Sequence, residues 1–424
     1  MNRLVVIVSL CFCLISYAAL GETAVFKAGA ALRVVTPYPL LPVSGGVGAP
    51  RPVNEKKGDL FARALVFEKG EVRVAIVGVD FLGWPSVLCD RVRAKVPGIP
   101  SENILIGATH THSAPDSYGF PDMHGGTGAD LEYLDWVCGE IAAAVNEAAD
   151  NLEPASLKIA VREAQGKIAY NYYAPQLYDP RCGVVQPVAK TGPNAGKPIA
   201  TIVNYAIHPE VLGSDVLSPD LCGPLYDRIA SRGGGMALFM NSAQGGMVTA
   251  DNRRPDGEDA RTWDECVRIG ELLADEALRI IADAPPQDDP TLYSAARIVD
   301  FPVKSKLLRG VLKHSALGNA VGEDAMLPAQ LNLVNLGTAQ MLTIPGEALP
   351  NIGYYLKRNM PTKHSFLLGL TNEAFGYILT RVDWNSFKRY DYITRTCMGE
   401  MTGEILIESL LALVAECPSP DGPK

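Results

Sequence analysis

Short apolar runs, separated by polar or Gly- and Pro-containing turns, recur along most of this chain. Runs of about four to eight apolar residues bounded in this way are typical of buried β-strands. The strand predictions are residues 28–37, 60–67, 72–79, 104–108, 156–163, 184–189, 200–208, 236–240, 331–336, 339–344 and 365–370. The polar turns at residues 68–71 and 337–338 predict two hairpins.

Other segments repeat their apolar residues every three or four positions, which is the period of an amphipathic helix. The clearest is residues 130–150, and further helices are predicted at 86–96, 260–284 and 395–415. Strands interleaved with helices predict an α/β fold, a layered domain with mixed β-sheets flanked by helices. Because no repeat or low-complexity linker interrupts the pattern, we predict one domain over residues 22–416 and a disordered tail at 417–424.

Residues 1–21 have a different pattern, since an apolar stretch follows Arg3 and ends in small residues. This pattern is typical of a secretory signal peptide. The apolar stretch is too short to argue for a membrane-spanning helix, and neither Cys11 nor Cys13 lies in a lipobox. We therefore expect a secreted or periplasmic protein with no stable membrane anchor.

The chain is acidic, with 38 Lys and Arg against 47 Asp and Glu and a formal net charge of −9. Loss of residues 1–21 would remove Arg3 and no acidic residue, which gives −10. This charge argues against nucleic acid and anionic lipid surfaces as partners. Of the nine cysteines, seven lie beyond residue 21 and none forms a CxxC pair, so a structural thiolate zinc site is not expected and disulfide pairing stays open.

Three of the six histidines stand where apolar runs end. His110 and His112 follow the run 104–108, and the alternation of side chains along an extended strand would point both to the same side. His208 ends the run 200–208. Histidines at such places are also often hydrogen-bonded structural residues, and His124 is a further candidate ligand in a Gly-rich loop.

A carboxylate, Glu347, stands in a similar position after the run 339–344. The carboxyl ends of strands in open α/β sheets are where ligands and catalytic groups gather. Two imidazoles and one carboxylate with an open position form the usual ligand set of a catalytic zinc, which acidifies bound water and polarises carbonyl groups. Strand-end charges also arise where a chain reaches solvent, so the spacing alone leaves both interpretations open.

The chain resembles the neutral/alkaline (non-lysosomal) ceramidase family in the order and approximate spacing of four motifs over residues 26–400. These are Ala108-Thr-His-Thr-His-Ser-Ala-Pro115, Ala206-Ile-His-Pro209, Pro345-Gly-Glu347, and Gly369-Leu-Thr-Asn372 followed by Tyr377. That family hydrolyses the N-acyl amide of ceramide into sphingosine and a fatty acid. The resemblance implies that residues 22–416 form a ceramidase-like catalytic domain, without the family's C-terminal immunoglobulin-like domain.

The same resemblance implies specific roles for site residues. It places Zn²⁺ on His110, His208, Glu347 and Tyr377, and it makes His112 face the substrate amide as a catalytic residue. Tyr377 is otherwise interpretable as a packed loop aromatic.

Two motifs depart from the family pattern. A Gly-Asp/Asn-Val-Ser-Pro-Asn-like run is replaced by residues 245–252, where Thr249 matches the proposed catalytic Ser only if one residue is inserted. The Arg that follows Asn in the substrate-binding run is absent, since Asn171 is followed by Tyr172. We therefore expect this chain to share the family's hydrolytic chemistry more closely than its substrate.

The remaining candidates are substrate contacts and a glycine pair. We predict substrate contacts at Asn171, Tyr172, Asp220, Gln244 and Tyr390. Asp220 is equally well explained as a first-turn residue of a helix with Ser218 as N-cap and Pro219 at N1. The glycine pair 245–246 is expected to let the backbone approach a ligand closely.

These observations predict a secreted zinc-dependent amidohydrolase that cleaves a ceramide-like or other N-acyl amide. One alternative keeps the zinc site and changes the substrate to an ester or lactone. Another is a non-catalytic, zinc-containing binding protein, which the altered run at 245–252 favours. The expected partner is a small or lipid-like N-acyl compound, and its acyl chain and headgroup stay open.

Overall fold

A computed structural model describes residues 24–121, 126–213, 215–318, 321 and 324–420. The predicted signal peptide, His124 and residues 421–424 lie outside the described residues. At the described start of the predicted tail, Pro418 O accepts from Asn335 Nδ2 at 2.6 Å, and Ser419 Oγ donates to Pro361 O.

Strands provide most of the framework. They are β1 (Lys27–Val34), β2 (Val43–Ser44), β3 (Phe61–Lys69), β4 (Val72–Val79), β5 (Ile104–Ala108), β6 (Ala114–Pro115), β7 (Glu153–Glu163), β8 (Ala169–Asn171), β9 (Arg181–Ala189), β10 (Ala200–Tyr205), β11 (Met236–Asn241), β12 (Val248–Ala250), β13 (Leu292–Pro302), β14 (Met326–Leu336), β15 (Ala339–Thr343), β16 (Glu347–Ala348), β17 (His364–Leu368) and β18 (Tyr377–Ile378).

Helices cover the outer faces of the sheets. They are α1 (Ser86–Arg93), α2 (Leu131–Asp150), α3 (Cys222–Ser231), α4 (Trp263–Ala282), α5 (Lys306–His314), α6 (Pro350–Asn359), α7 (Asp391–Arg395) and α8 (Thr402–Glu416). None of the described helices is long and apolar enough to cross a membrane. All seven cysteines in the described part of the chain are free.

Two mixed sheets form the centre of the fold. The larger has the order β11-β10-β9-β7-β1-β3-β4-β5, and the smaller has the order β13-β14-β15-β17. Most neighbours are antiparallel, but β4 with β5, β10 with β11, and β15 with β17 run parallel. The predicted α/β class with mixed sheets is confirmed.

The sheets stack face to face between two helical layers. Even-numbered residues of β14, such as Val334 and Leu336, share a core with Ile202 of the larger sheet. Odd-numbered residues such as Leu331 and Leu333 face the opposite way and pack with α6 and α8. The other face of the larger sheet packs against α2, α3 and α4. Strand alternation therefore produces four layers, αββα, whose two sheets share one inner core.

Several predicted boundaries were wrong. The predicted helix 395–415 is two helices, α7 and α8, with a break that includes Gly399. Helix α3 begins at Cys222 rather than after Ser218, because Asp220 has a φ of 53° and the Ser218 hydroxyl donates to Lys57 O at 2.7 Å. Strand β13 and helices α5 and α6 were missed, and the alternate exposure along β13 explains why its apolar run is weak.

Two buried asparagines connect the carboxyl ends of these strands. Asn204 Nδ2 of β10 lies 3.0, 2.9 and 2.8 Å from the carbonyl oxygens of Met240, Asn241 and Leu367. It therefore ties β10 to β11 in the larger sheet and to β17 in the smaller one. This contact aligns the ends of parallel strands from both sheets at one edge of the stack.

Asn241, at the end of β11, makes the second connection. Its Nδ2 donates to Thr109 O at 3.2 Å and to Ile207 O at 2.7 Å, while its Oδ1 accepts from Ile207 N at 3.2 Å. Thr109 and Ile207 immediately precede His110 and His208. One side-chain amide therefore sets the distance between the two histidine-bearing turns.

We expect Asn241→Ala to destabilise the fold, because four buried backbone groups, Thr109 O, Ile207 O, Ile207 N and Ser242 N, would lose their side-chain partner. The loss should be about 2–4 kcal/mol in the free energy of unfolding. Urea denaturation with a zinc chelator present would measure it. Asn359→Ala is the control, since the Asn359 amide bonds only an exposed carbonyl of its own helix. Equal stability of the two variants would contradict this role of Asn241.

Candidate metal centre and active site

His110 lies in a turn directly after β5. Its N–H donates to Phe81 O at 2.9 Å, and its φ of 74° is left-handed. The strand has therefore ended at Ala108, and the predicted alternation along an extended strand is not what brings His110 and His112 together. The turn brings the two side chains together instead, and the ring centroids of His110 and His112 lie 4.9 Å apart.

His208 approaches from the loop after β10. Its backbone N and its ring Nδ1 both lie 2.8 Å from Val248 O, next to a parallel bridge between His208 and Thr249. The His208 ring centroid is 4.7 Å from that of His110 and 5.9 Å from that of His112. Three imidazoles from two loops thus meet at one point.

All three imidazoles are oriented by backbone carbonyls. Nδ1 of His110 lies 2.5 Å from Leu82 O, and Nδ1 of His112 lies 3.0 Å from Gly45 O. Donation from Nδ1–H leaves the Nε2 lone pair free, which is the usual arrangement of imidazoles that bind metals. Among the described residues, these three histidines form a group whose ligand atoms all lie within 4.8 Å of one another.

Glu347 adds a carboxylate to this point. Its Oε2 lies 3.0 Å from Nε2 of His208 and 3.5 Å from Nε2 of His110. The short strand β16 holds it through Glu347 N donating to Gly376 O at 3.1 Å. A Cβ at Gly245 would lie 2.1 Å from Glu347 O, so this glycine permits a close approach of protein backbone rather than of the ligand that we predicted.

Electrostatics favour a positive charge between these groups. Burial alone would raise the pKa of Glu347, but the His110 and His208 imidazoles outweigh it and hold that pKa well below its usual range. Burial would lower the pKa of His208, and the contact with Glu347 outweighs it and raises the pKa. Both shifts reflect the same preference for a cation between Nε2 and the carboxylate, which a proton or a metal ion satisfies.

His112 differs from its two neighbours. Its Nε2 is buried and has no hydrogen-bond partner in the described structure. Burial lowers its pKa to about 4, so the ring is neutral at physiological pH. A neutral imidazole with a free, inward-facing lone pair is equipped to take up a proton or to bind a metal.

Glu210 is a site residue that sequence reasoning missed. Its Oε2 lies 3.8 Å from Nδ1 of His112, and its Oε1 accepts from the Thr249 hydroxyl at 2.5 Å. Burial raises its pKa, but the His112 and His208 imidazoles outweigh this and hold it below the usual value. Its position two residues after His208 is the signal that could have identified it.

Tyr377 lies beside the carboxylate, as expected for a ligand or a neighbour of the metal. Strand β18 pairs with β16 so that Tyr377 is the register partner of Glu347. Its ring stacks on His208 with centroids 6.5 Å apart, and its hydroxyl donates to Met247 Sδ at 2.9 Å. Burial raises the pKa of Tyr377, which keeps it a neutral phenol.

Two cavities meet at His112. The first is mainly apolar and also contains His110, Glu347 and Tyr377; its apolar lining includes Leu82, Phe120, Leu308, Val311, Leu312 and Met398. The second is mainly polar, and its lining includes Arg51, Tyr172, Glu210, Thr249, Asn252 and Arg261. A substrate with one apolar and one polar half could therefore span the histidine cluster.

Only two of the predicted non-metal residues besides His112 line these cavities. Tyr172, which is 55% exposed, and Thr249 both line the polar cavity. Tyr390 packs against Tyr173 with ring centroids 5.2 Å apart, whereas Tyr392 lines the apolar cavity. Tyr392, two positions later, is therefore the tyrosine of this segment that lines the apolar cavity.

Three predicted substrate contacts are instead buried in the protein. Asn171 Nδ2 donates to Leu177 O, and its Oδ1 accepts from the backbone N–H groups of the following turn. The Asp220 carboxylate accepts from Leu212 N and Leu221 N, so it shapes the chain after His208. Gln244 is fully buried and lies outside the lining of both cavities.

Comparisons with known proteins identify the fold. No protein-family model matches the chain, and no curated protein matches it. The structure of neutral ceramidase from Pseudomonas aeruginosa superposes with a TM-score of 0.74 at 18% identity, covering 95% of this chain and 77% of that chain. A ceramidase complexed with C2 gives 0.74 at 18% identity, covering 93% and 76%.

The chain therefore has the fold of these ceramidases over nearly its whole length, and the expected ceramidase-like fold is confirmed. At this level of identity the likeness is one of fold. The roles of individual residues have to be argued from the contacts of the side chains described above.

We expect His110→Ala to lose the metal and His112→Ala to retain it. The reason is that the Glu347 carboxylate lies 3.5 Å from His110 Nε2 and 3.0 Å from His208 Nε2, whereas His112 Nε2 has no hydrogen-bond partner among the described residues. Elemental analysis of the purified variants would measure metal content, with the exposed His314→Ala as control. On an amide that the wild type cleaves, His112→Ala should lower kcat by roughly 100-fold or more.

The opposite result has a defined meaning. Loss of metal from His112→Ala with retention in His110→Ala would make His112 a ligand, which the three-histidine geometry also permits. Unchanged metal content and rate in both variants would make them structural histidines, and the enzyme interpretation would be wrong.

We expect Tyr377→Phe to lower zinc affinity by roughly 10-fold or more, because Tyr377 is the register partner of Glu347 and the change removes the phenol oxygen that is proposed as the fourth ligand. Competition with a fluorescent chelator would measure the affinity. Tyr355→Phe, on an exposed face of α6, is the control. Full zinc affinity together with full activity in Tyr377→Phe would exclude it as a ligand.

Proposed function

We propose that this protein is a secreted, zinc-dependent amidohydrolase that cleaves an N-acyl amide. One observation carries the proposal: two imidazole Nε2 atoms and a carboxylate meet beside a third imidazole, His112, whose Nε2 has no partner among the described residues and which lies between an apolar and a polar cavity. The shared fold with ceramidases, which act on a lipid amide, supports the same reaction class.

The donor set fits a zinc ion. His110, His208 and Glu347 would hold it with Tyr377, since both imidazoles already present Nε2 and Glu347 supplies an anionic oxygen. Two imidazoles and a carboxylate are the usual protein ligands of catalytic zinc. Such an ion supplies Lewis acidity, which polarises a carbonyl and acidifies bound water.

His112 would then act as the general base and general acid. Because Nδ1 donates to Gly45 O, Nε2 is an acceptor, and burial lowers the pKa of the ring so that it is unprotonated at physiological pH. His112 would take a proton from a water molecule as that water adds to the amide carbon, and would return the proton to the amine nitrogen as the C–N bond breaks. This general base and acid role is worth about 100- to 10,000-fold in rate.

Each of the two cavities would hold one part of the substrate. The acyl group would occupy the apolar cavity, whose wall includes Leu308, Val311 and Leu312 of α5. The amine portion would extend into the polar cavity beyond His112. This arrangement favours lipid-like N-acyl compounds and leaves the amide at the histidine cluster.

We also propose that the protein is exported from the cytoplasm. The apolar residues 1–21 support a signal peptide and therefore a secreted or periplasmic location. An enzyme in such a place would meet exogenous N-acyl lipids and related compounds.

We expect a panel of N-acyl amides, esters and lactones with matched acyl groups to show amide turnover that a zinc chelator abolishes. One equivalent of zinc should restore it, because a single cluster holds the ligand set. Turnover of only the ester or lactone would change the substrate class. Bound zinc without turnover of any compound would indicate a binding protein and would contradict the proposal.

A further inference from the structure

The polar cavity contains the Glu210 carboxylate, which forms no ion pair with a Lys or Arg of the described residues. The Glu210 side chain is 21% exposed, and its Oε1 accepts from the Thr249 hydroxyl at 2.5 Å. Its nearest ionisable partner is His112, whose Nδ1 lies 3.8 Å from Oε2 and already donates to Gly45 O. Within the described chain, no Lys or Arg nitrogen lies within 4.0 Å of this carboxylate.

The other charges that line this cavity are paired. Arg51 lies 3.2 Å from Asp215, and Arg261 lies 3.7 Å from Asp259. These two pairs cancel in formal charge, and their arginines are well exposed at the mouth. Glu210 therefore leaves the described lining with one uncompensated negative charge, close to the residue assigned to proton transfer.

We propose that the amine portion of the substrate carries a cationic group that pairs with Glu210. This inference rests on the proposed amide hydrolysis and specifies its substrate class. The substrate would be an N-acylated amine with an ammonium or guanidinium group a few bonds from the scissile nitrogen. The acyl group lies in the apolar cavity, and the cation lies in the polar one.

The physical reason is desolvation. A ligand that fills the polar cavity removes water from the Glu210 carboxylate, and a buried carboxylate without a partner is costly. An ammonium group replaces that water with a charge-assisted hydrogen bond, whereas an alkyl chain at the same place leaves the carboxylate unpaired. The cavity therefore discriminates against long apolar amines.

Two isosteric substrates test this inference: N-hexanoyl-1,3-diaminopropane ends in an ammonium group, and N-hexanoyl-butylamine ends in a methyl group at the same place. We expect the wild type to favour the cationic amide roughly 10- to 100-fold in kcat/KM, mainly through KM. Glu210→Gln should remove most of this preference. Glu132→Gln, an exposed change on α2, should retain it.

Calorimetry with the zinc-loaded protein measures binding of both amides independently of turnover. Circular dichroism checks that Glu210→Gln is folded, and Glu210→Asp, which keeps a carboxylate, should retain part of the cationic preference. A preference in binding that Glu210→Gln removes would support the inference even if neither amide were hydrolysed, in which case only the proposed function would fail.

Two results would overturn the inference while leaving amide hydrolysis in place. One is equal kcat/KM and equal affinity of the wild type for both amides. The other is a Glu210→Gln variant that lowers kcat equally for both amides and leaves their ratio unchanged. That second result would make Glu210 a positioning residue for His112.

Discussion

The side-chain amide of Asn241 holds together the two turns on which the candidate metal centre is built. It donates to Thr109 O and Ile207 O and accepts from Ile207 N. Only an amide offers two donors and an acceptor in this form, so a carboxylate or an alkyl group of similar size would leave buried backbone groups unpaired. The distance between His110 and His208 therefore depends on a residue that touches neither imidazole.

The tertiary fold also sets the orientation of each imidazole. The carbonyls that receive the Nδ1 protons belong to Leu82 and Gly45, which lie in two loops, and to Val248, the first residue of β12. The carboxylate lies on β16, which follows β15 of the smaller sheet and pairs with β18 in a separate two-stranded sheet. A centre assembled from these separate segments couples ligand geometry to folding, because no local segment contains the complete set.

The sequence predicted most strands and the convergence of His110, His208 and Glu347, because strand ends can be read from apolar runs. Strand alternation was the wrong reason for expecting His110 and His112 on the same side. The left-handed backbone of His110, which forms the turn, cannot be inferred from a pattern of alternating residues. Asp220 and Asn171 were assigned to substrate because a buried carboxylate or amide that bonds backbone N–H groups has the same sequence appearance as one that bonds a ligand. Glu210 was missed because its partner, Thr249, is distant in the chain.

We propose that the imidazoles of His110 and His208 and the Glu347 carboxylate hold one zinc ion beside His112, a third imidazole whose Nε2 has no partner among the described residues. X-ray absorption at the zinc edge of the purified protein tests it most directly, combined with anomalous diffraction to place the ion. The account predicts one zinc per chain, with nitrogen from His110 and His208 and oxygen from Glu347 in its coordination shell. A site without zinc after loading, or a zinc bound by three imidazoles with Glu347 outside the shell, would contradict it.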